Sequence, residues 1–479
     1  MRIDELDLPP QVRELLLNRG YGELYPPQVD ALSAGALNGR SLVMASPTAS
    51  GKTLIAELCI LKHVLEVGGK ALYLVPLRAL ASEKFEEFKA YNGLSMGNGR
   101  KLRIAISTGD FDSSDHWLGR YDIIFATNEK ADSLLRHKTS WIQALTIVVA
   151  DEVHLLNDPS RGPTLEVVIT RLRQLNPRLQ VLALSATVEN AEEVAEWLNA
   201  TPVMSGWRPV PLREGVYCDR EILFMNAPSR KVESSTGNPP IDIALDSVLG
   251  GGQALIFTET RRSAVEMGRI AASALRSTLG KRLKPDDRLA AKILESHERT
   301  RLSELLAEQA RYKSGFHHAG LSSNHRRIVE DSFRRGRIKI LAATPTLAAG
   351  VNLPARTAVI SSYQRYEPGY GRSAISVLEY KQFCGRAGRP RYDPYGEAIL
   401  IARTRDEQDL LMEKYVLAKP EKLWSKLAVE RILRPHVLST IATGYASTEE
   451  GLKDFFSHTF FAHQYGPRNI NLKVSKILG

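Results

Sequence analysis

The stretch Ser41 to Leu65, SLVMASPTASGKTLIAELCILKHVL, decides the fold. Its first residues read as a strand, TLIAELCILKHVL reads as a helix, and SPTASGKT between them follows the phosphate-loop pattern G-x-x-x-x-G-K-[ST]. Ser46 stands where the first glycine belongs, while Gly51, Lys52 and Thr53 are in register. Bare amides at a helix N-terminus, helped by the helix dipole, hold phosphate oxygens. Ser46, Pro47, Thr48, Ala49, Ser50 and Gly51 are therefore the expected cradle. Lys52 would neutralise the β- and γ-phosphates of ATP, and Thr53 would offer its hydroxyl oxygen to Mg²⁺.

About a hundred residues downstream, the apolar run LTIVVA ends at Asp151-Glu152-Val153-His154. Asp151 is placed to hold Mg²⁺, which takes few carboxylates, and Glu152 is the natural general base for an attacking water. His154 suits a coupling role or is a plain surface histidine. Upstream, Tyr25-Pro26-Pro27-Gln28 precedes a helical pattern, and the Gln28 amide offers the donor and acceptor that an adenine edge requires. Far downstream, QFCGRAGR (Gln382 to Arg389) supplies arginines from a distant segment, so the hydrolytic site is expected to form only when two parts of the chain close together.

Outward from the loop, short apolar runs alternate with amphipathic stretches: ALYLV at 71 to 75, RIAI at 103 to 106, DIIF at 122 to 125 and VLAL at 181 to 184. Such alternation reads as a parallel sheet with crossover helices. SGWRPVPLREG breaks the pattern and reads as a linker. A second series follows in ALIF (254 to 257), IKILA (338 to 342), TAVIS (357 to 361) and EAILI (397 to 401), interrupted by a charged helical insertion over about 280 to 312. After Arg405 two amphipathic helices joined by a glycine turn close the sequence, and NLKVSKILG reads as the opening of another helix with nothing to pack on. The expected domains are 1–205, 206–405 and 406–479.

The 479 residues carry a net charge of +10, which suits a polyanionic partner or an ordinary solvated surface. Three separated cysteines, Cys59, Cys218 and Cys384, suggest neither a disulfide framework nor a zinc site, and a reducing cytoplasm fits. Asp4, Glu5 and Asp7 stand where a signal peptide would carry cations, and no run of about 18 uncharged apolar residues occurs.

PLRALASEK, STGD, ATNEKADSLLR, DEVH, SAT, FTETRRSA, FHHAGL, ATPTLAAGVNLPA and QFCGRAGRP occur in this order. Together they resemble a superfamily-two DExH-box helicase. RGPTLEVVITRLR, GWRPVPLREGV and YKQFCGRAGRPRYDPYGEAIL are similar to its superkiller-like group, above all the archaeal Hjm-type DNA-repair branch, related to the helicase part of DNA polymerase theta. The resemblance implies two tandem RecA-like α/β domains, a small helical winged-helix domain and then a ratchet domain, which this chain stops short of.

It also implies roles. Gln382, Arg386 and Arg389 would reach the nucleotide from the second domain, and Gly350 and Asn352 would lie near the ribose. Ser185 and Thr187 would join His154 in linking nucleotide state to nucleic-acid grip. Arg78, Ala79 and Thr127 in the first domain, with His318, Thr344 and Thr346 in the second, would touch the nucleic-acid backbone. A hairpin around Gly369 and Gly371, carrying Tyr363, Tyr366 and Tyr370, would separate strands or merely cover the sheet. The implied activity is ATP-driven 3′-to-5′ unwinding by a monomer on single-stranded or forked DNA, in repair or recombination. An RNA helicase of the same group and an ATP-gated clamp or remodeller without strand separation are the alternatives.

Overall fold

Runs such as LVMA, ALYLV and LTIVVA lack the polar alternation of a half-exposed strand, so their strands must be covered on both faces, and helices do the covering. In the computed structural model the described residues are 1–109, 115–295, 299–345, 347, 353–367, 371–390 and 392–478. They form two compact units, Met1–Trp207 with Glu421–Gly479, and Arg208–Pro420.

The first unit holds β1 (Leu42–Ala45), β2 (Lys70–Val75), β3 (Ile104–Ser107), β4 (Ile123–Thr127), β5 (Leu145–Ala150), β6 (Gln180–Ser185) and β7 (Thr201–Met204). All pair in parallel, in the order β3-β4-β2-β5-β6-β1-β7. The covering helices include α1 (Lys52–Lys62), α2 (Arg78–Phe88), α3 (Asn128–Arg136), α4 (Gly162–Leu175) and α5 (Ala191–Leu198). Aromatic packing locks α2 onto the sheet, with Tyr73 stacked on Phe125 at 5.2 Å and Phe88 edge-on to Phe125 at 5.0 Å.

The second unit holds β8 (Leu212–Cys218), β9 (Glu221–Phe224), β10 (Arg230–Lys231), β11 (Ala254–Phe257), β12 (Ser314–His317), β13 (Ile340–Ala343), β14 (Thr357–Ile360) and β17 (Gly396–Ile401). Their order is β10-β9-β8-β17-β14-β11-β13-β12, parallel except for the β8-β9-β10 meander. β15 (Gln364–Glu367) and β16 (Gly371–Ala374) form a separate antiparallel ribbon, as the tyrosine-rich turn predicts. The charged insertion is helical, α6 (Asp287–Glu295) and α7 (Arg301–Arg311). α8 (Val377–Cys384) and α9 (Arg405–Leu411) complete the helices that matter here.

The boundaries differ from the expected ones at two places. β8 begins inside the stretch that reads as a linker, because Leu212 and the residues after it pair with β17 despite two nearby prolines. The second unit runs on to Pro420, since Gln408 on α9 donates from Nε2 to Val216 O at 2.8 Å and ties that helix to β8.

The C-terminal segment consists of α10 (Glu430–Ala442), α11 (Glu449–Ser457), α12 (Phe460–Tyr465) and α13 (Pro467–Leu478), with no strand among its described residues. Its core joins Leu427, Leu433, Phe455, Phe456, Ile470 and Val474 to Val167 of α4. The expectation that the last helix has nothing to pack on is therefore corrected. Ile470 and Val474, four apart on one face, are both fully buried.

Candidate nucleotide site and nucleic-acid rim

In a parallel sheet every strand delivers its following loop to the same rim, which is where ligands bind in open α/β sheets. Along the first unit's rim, in spatial order, come the loops after β4, β2, β5, β6 and β1. These loops carry Thr127, then Arg78 and Ala79, then Asp151 to His154, then Ser185 to Thr187, and finally Ser46 to Thr53. Three motifs separated by about 140 residues of sequence thus occupy three adjacent strand ends. A direct bond links two of them, Ser46 N donating to Ser185 O at 3.2 Å.

The phosphate loop is built from within. The hydroxyls of Ser46 and Ser50, both buried, lie 2.8 Å apart and bridge the loop's ends, which gives the serine at the first glycine's place a role. Lys52 Nζ folds back to donate to Ser46 O at 2.6 Å and Pro47 O at 3.0 Å. Gly51 caps α1 at φ +86°, in the left-handed region, and a Cβ there would stand 2.1 Å from Gln28 Nε2. Gln28 itself is buried, with Oε1 accepting from Tyr25 N at 2.7 Å and Nε2 donating to Gly51 O at 3.0 Å. One end of the amide thus closes the N-terminus of its own helix at Tyr25, and the other braces the phosphate loop at Gly51.

At the acidic tetrad, Asp151 Oδ1 accepts from Glu152 N at 3.0 Å and Oδ2 accepts from the Tyr73 hydroxyl at 2.9 Å. Burial, and then the neighbouring Glu152 carboxylate, pushes the Asp151 carboxyl up to about 6. A buried carboxylate whose ionised form lacks a full countercharge, facing a rim that also holds the Thr53 hydroxyl, is a donor set that fits a hard divalent cation. Glu152 has φ +57°, unusual for a residue with a Cβ. Its Oε2 lies 3.3 Å from His154 Nδ1. This contact is not an ion pair at neutral pH, because burial, reinforced by the positive charge of Lys52, pushes His154 down to about 4. The same Nδ1 accepts from Ala186 N at 3.2 Å, which assigns the ring proton to Nε2 and joins the tetrad to the Ser185-Ala186-Thr187 segment.

On the other half of the rim, Arg78 and Ala79 are exposed in the first turn of α2. Thr127 is buried and spends its hydroxyl as the cap of α3, accepting from Lys130 N at 3.3 Å. In the second unit, His318 and Thr344 follow the neighbouring strands β12 and β13. Both are buried, so the loops there offer more backbone than side chain. Gly320 N donates to His318 Nδ1 at 3.0 Å, and burial lowers that imidazole. Thr346, Gly350, Asn352 and Tyr370 lie outside the described residues, as does the side chain of Tyr366. Tyr363 leans on the core near Tyr415, with ring centroids 6.4 Å apart.

Gln382 is half-buried on α8, and Arg386 is buried just beyond it. Arg389 is committed inside its own unit. Its Nε and Nη2 donate to Asp393 at 2.7 and 2.8 Å, and Nη1 donates to Gln253 Oε1. Burial works against the Asp393 charge, yet the bonds from Arg389 hold its carboxyl below the ordinary range. Tyr73 is the functional neighbour the sequence did not announce. It is one more apolar position in ALYLV until the fold sets its hydroxyl against Asp151.

A phosphate loop, an acidic tetrad and a Ser-Ala-Thr segment on adjacent ends of one parallel sheet, followed by a second α/β unit bearing G-R-A-G-R, define a superfamily-two DExH-box helicase, and the chain belongs to that family. Family profiles agree: residues 25–194 match "DEAD/DEAH box helicase", 290–391 match "Helicase conserved C-terminal domain" and 396–479 match "Helix-turn-helix domain". Among individual proteins, the chain is 49% identical over 470 residues to the ATP-dependent DNA helicase Hel308 of Methanocella arvoryzae, covering 97% of this chain and 63% of that protein. It is 46% identical to the Hel308 of Pyrobaculum calidifontis, with 97% and 64% covered, and 45% identical to that of Pyrococcus abyssi, with 100% and 64% covered. The chain thus spans somewhat under two thirds of the length of these relatives. No helix among the described residues is long and apolar enough to cross a membrane.

Proposed function

We propose that the chain hydrolyses ATP to move along single-stranded DNA in the 3′-to-5′ direction, separating strands at forked substrates during repair or recombination in the cytoplasm, as a monomer. The observation that carries this reading is the shared rim. The fuel loops after β5, β6 and β1 and the grip loops after β4 and β2 are neighbours on one sheet, so a shift in one set strains the other.

In this reading the amides of Ser46 to Gly51 and the Lys52 ammonium hold the β- and γ-phosphates, Lys52 leaving its two loop carbonyls to do so. Thr53 and Asp151 would hold Mg²⁺, which when bound neutralises charge on the phosphate oxygens. Glu152 takes the proton from the attacking water. His154, neutral and bonded to Ala186, reports the state of Glu152 to Ser185 and Thr187. Arg386 supplies positive charge from the second unit, with Gln382 beside it, and Arg389 supports that loop through Asp393. Gly350 and Asn352 would face the ribose. Arg78, Ala79, Thr127, His318, Thr344 and Thr346 grip phosphates without sequence choice, and the β15-β16 ribbon with Tyr366 and Tyr370 parts the strands.

The test is ATP turnover with single-stranded DNA and with RNA of equal length, followed by strand displacement on forks carrying a 3′ or a 5′ tail. DNA is expected to stimulate more than RNA, and the 3′-tailed fork to be opened. Equal or greater stimulation by RNA overturns the DNA assignment; brisk turnover with neither fork opened means a translocating clamp.

A further inference from the structure

Before α10 the polypeptide runs through an irregular strap, Glu421 to Ser425, which is bonded to segments lying directly downstream of two motifs. Glu189 N donates to Glu421 O at 3.1 Å. The Asn190 amide takes both backbone groups of Leu423: Leu423 N donates to its Oδ1 at 2.7 Å, and its Nδ2 donates to Leu423 O at 3.0 Å. From α12, Gln464 Nε2 donates to the same carbonyl at 2.9 Å while its Oε1 accepts from Ser425 N at 2.9 Å. Glu193 accepts from both amides, at 2.5 Å from Asn190 and 3.1 Å from Gln464. Trp424 N reaches Asn157 Oδ1 at 3.4 Å.

Asn190 comes three residues after Thr187, and Asn157 three after His154. An amide that pairs with a peptide at both ends fixes its backbone much as a ladder rung does. A ring of satisfied polar groups closed around a buried residue, here Leu423, specifies one geometry rather than several. The end of β6 therefore has two anchors, His154 on one side through Ala186 and the strap on the other through Asn190.

We infer that Asn190 is a positioning residue, through which the C-terminal helical segment holds Ser185-Ala186-Thr187 against His154 and so sets how strongly nucleic acid stimulates ATP turnover. This deepens the function proposed above and rests on it for the turnover arm. Arrangement of the Ala186 amide is the more direct consequence and does not depend on activity.

The experiment uses the whole 479-residue chain carrying Asn190→Ala, with Asn190→Asp as a second variant that keeps the acceptor for Leu423 N–H but turns the contacts with Leu423 O and Glu193 repulsive. Amide hydrogen exchange is read at Ala186, and turnover is read with and without single-stranded DNA. Asn190→Ala is expected to raise exchange at Ala186 by about tenfold and to lower DNA-stimulated turnover by roughly threefold to tenfold, the effect of one or two buried hydrogen bonds. Basal turnover should stay near wild type and the melting temperature should fall by only a few degrees, with Asn190→Asp at least as affected at Ala186 as Asn190→Ala. Unchanged exchange at Ala186 overturns the inference, as does a parallel fall of basal turnover, stimulated turnover and melting temperature. If the unaltered chain is not stimulated by DNA, the functional reading above fails, and Ala186 exchange alone decides this one.

Discussion

Gly51 and Glu152 both adopt left-handed backbone, for opposite reasons. Gly51 does so at no steric cost, and its missing side chain leaves room for the Gln28 amide. Gly51→Ala must displace that amide and strain the turn, so it should destabilise the first unit by about 1–3 kcal/mol and abolish tight nucleotide binding. A melting curve and a nucleotide titration check this; a variant that binds ATP normally would show the loop tolerates a different path. Glu152 bears the strain with a Cβ, at about 1 kcal/mol, a cost that fits a side chain held for chemistry. Glu152→Gln keeps the shape and removes the base. Turnover should fall by about a hundredfold or more while ATP still binds, as measured in single-turnover hydrolysis beside equilibrium binding. These positions were legible in the sequence because the requirement is local: a glycine in register, an acid after an apolar run. The Tyr73 hydroxyl on Asp151 was not, since it joins residues 78 apart and depends on which face of β2 a tyrosine occupies. Nor was the bracing of Gly51 by Gln28, which the sequence suggested would face adenine.

Among the elements, α4 has the most to do, since it links the Asp151 tetrad to β6 and carries the face that the C-terminal helices cover. Glu166 is fully buried on it, accepting from Ser425 Oγ at 2.6 Å and from Phe461 N at 2.8 Å. Burial pushes its carboxyl from 4.5 up to about 7, and the bonds from Ser425 and Phe461 only partly oppose this. The folded chain therefore binds a proton that the unfolded chain has released between pH 4.5 and about 7. This contribution is fully present below pH 4.5 and is lost as pH rises through about 7. Glu166→Gln stays neutral throughout, so its stability relative to wild type should rise across that window. Melting temperatures at several pH values check it, and identical slopes for the two proteins would mean the buried acid does not titrate there. Arg171, one turn on and also buried, lies over the Tyr445 ring at 4.5 Å and donates to Thr440 Oγ1 at 3.1 Å. In the sequence the stretch of α4 stood out only by its family resemblance. That Glu166 and Arg171 seat a segment some 260 to 300 residues away leaves no periodic trace. Strand positions were legible to within a residue or two wherever the run was apolar, as at ALIF. β8 to β10 were missed because prolines, glycines and charged residues obscure an edge meander.

At the scale of the whole molecule the chain is nested. The first unit is completed by residues that come after the second unit, which is inserted between Trp207 and Glu421. The sequence suggested three parts in series, because composition changes mark where a segment begins and not what it packs against. Nesting has a thermodynamic consequence. A chain ending at Pro420 would leave Val167, Glu166 and Arg171 uncovered and would lose the apolar core of Leu427, Leu433, Phe455, Phe456, Ile470 and Val474. Uncovering a face of that size costs several kcal/mol, and for a unit of this length each kcal/mol moves the midpoint by about 2–4 °C. Calorimetry of the truncated chain should therefore show the first unit's transition lowered by about 10 °C or more, while the transition of Arg208–Pro420 stays where it is in the intact chain. Arg208–Pro420 expressed alone should melt at that same temperature, because its sheet borrows no strand from elsewhere. If instead both transitions fall together on truncation, the C-terminal helices stabilise the two units jointly, and the strap after Pro420 acts on more than the end of β6.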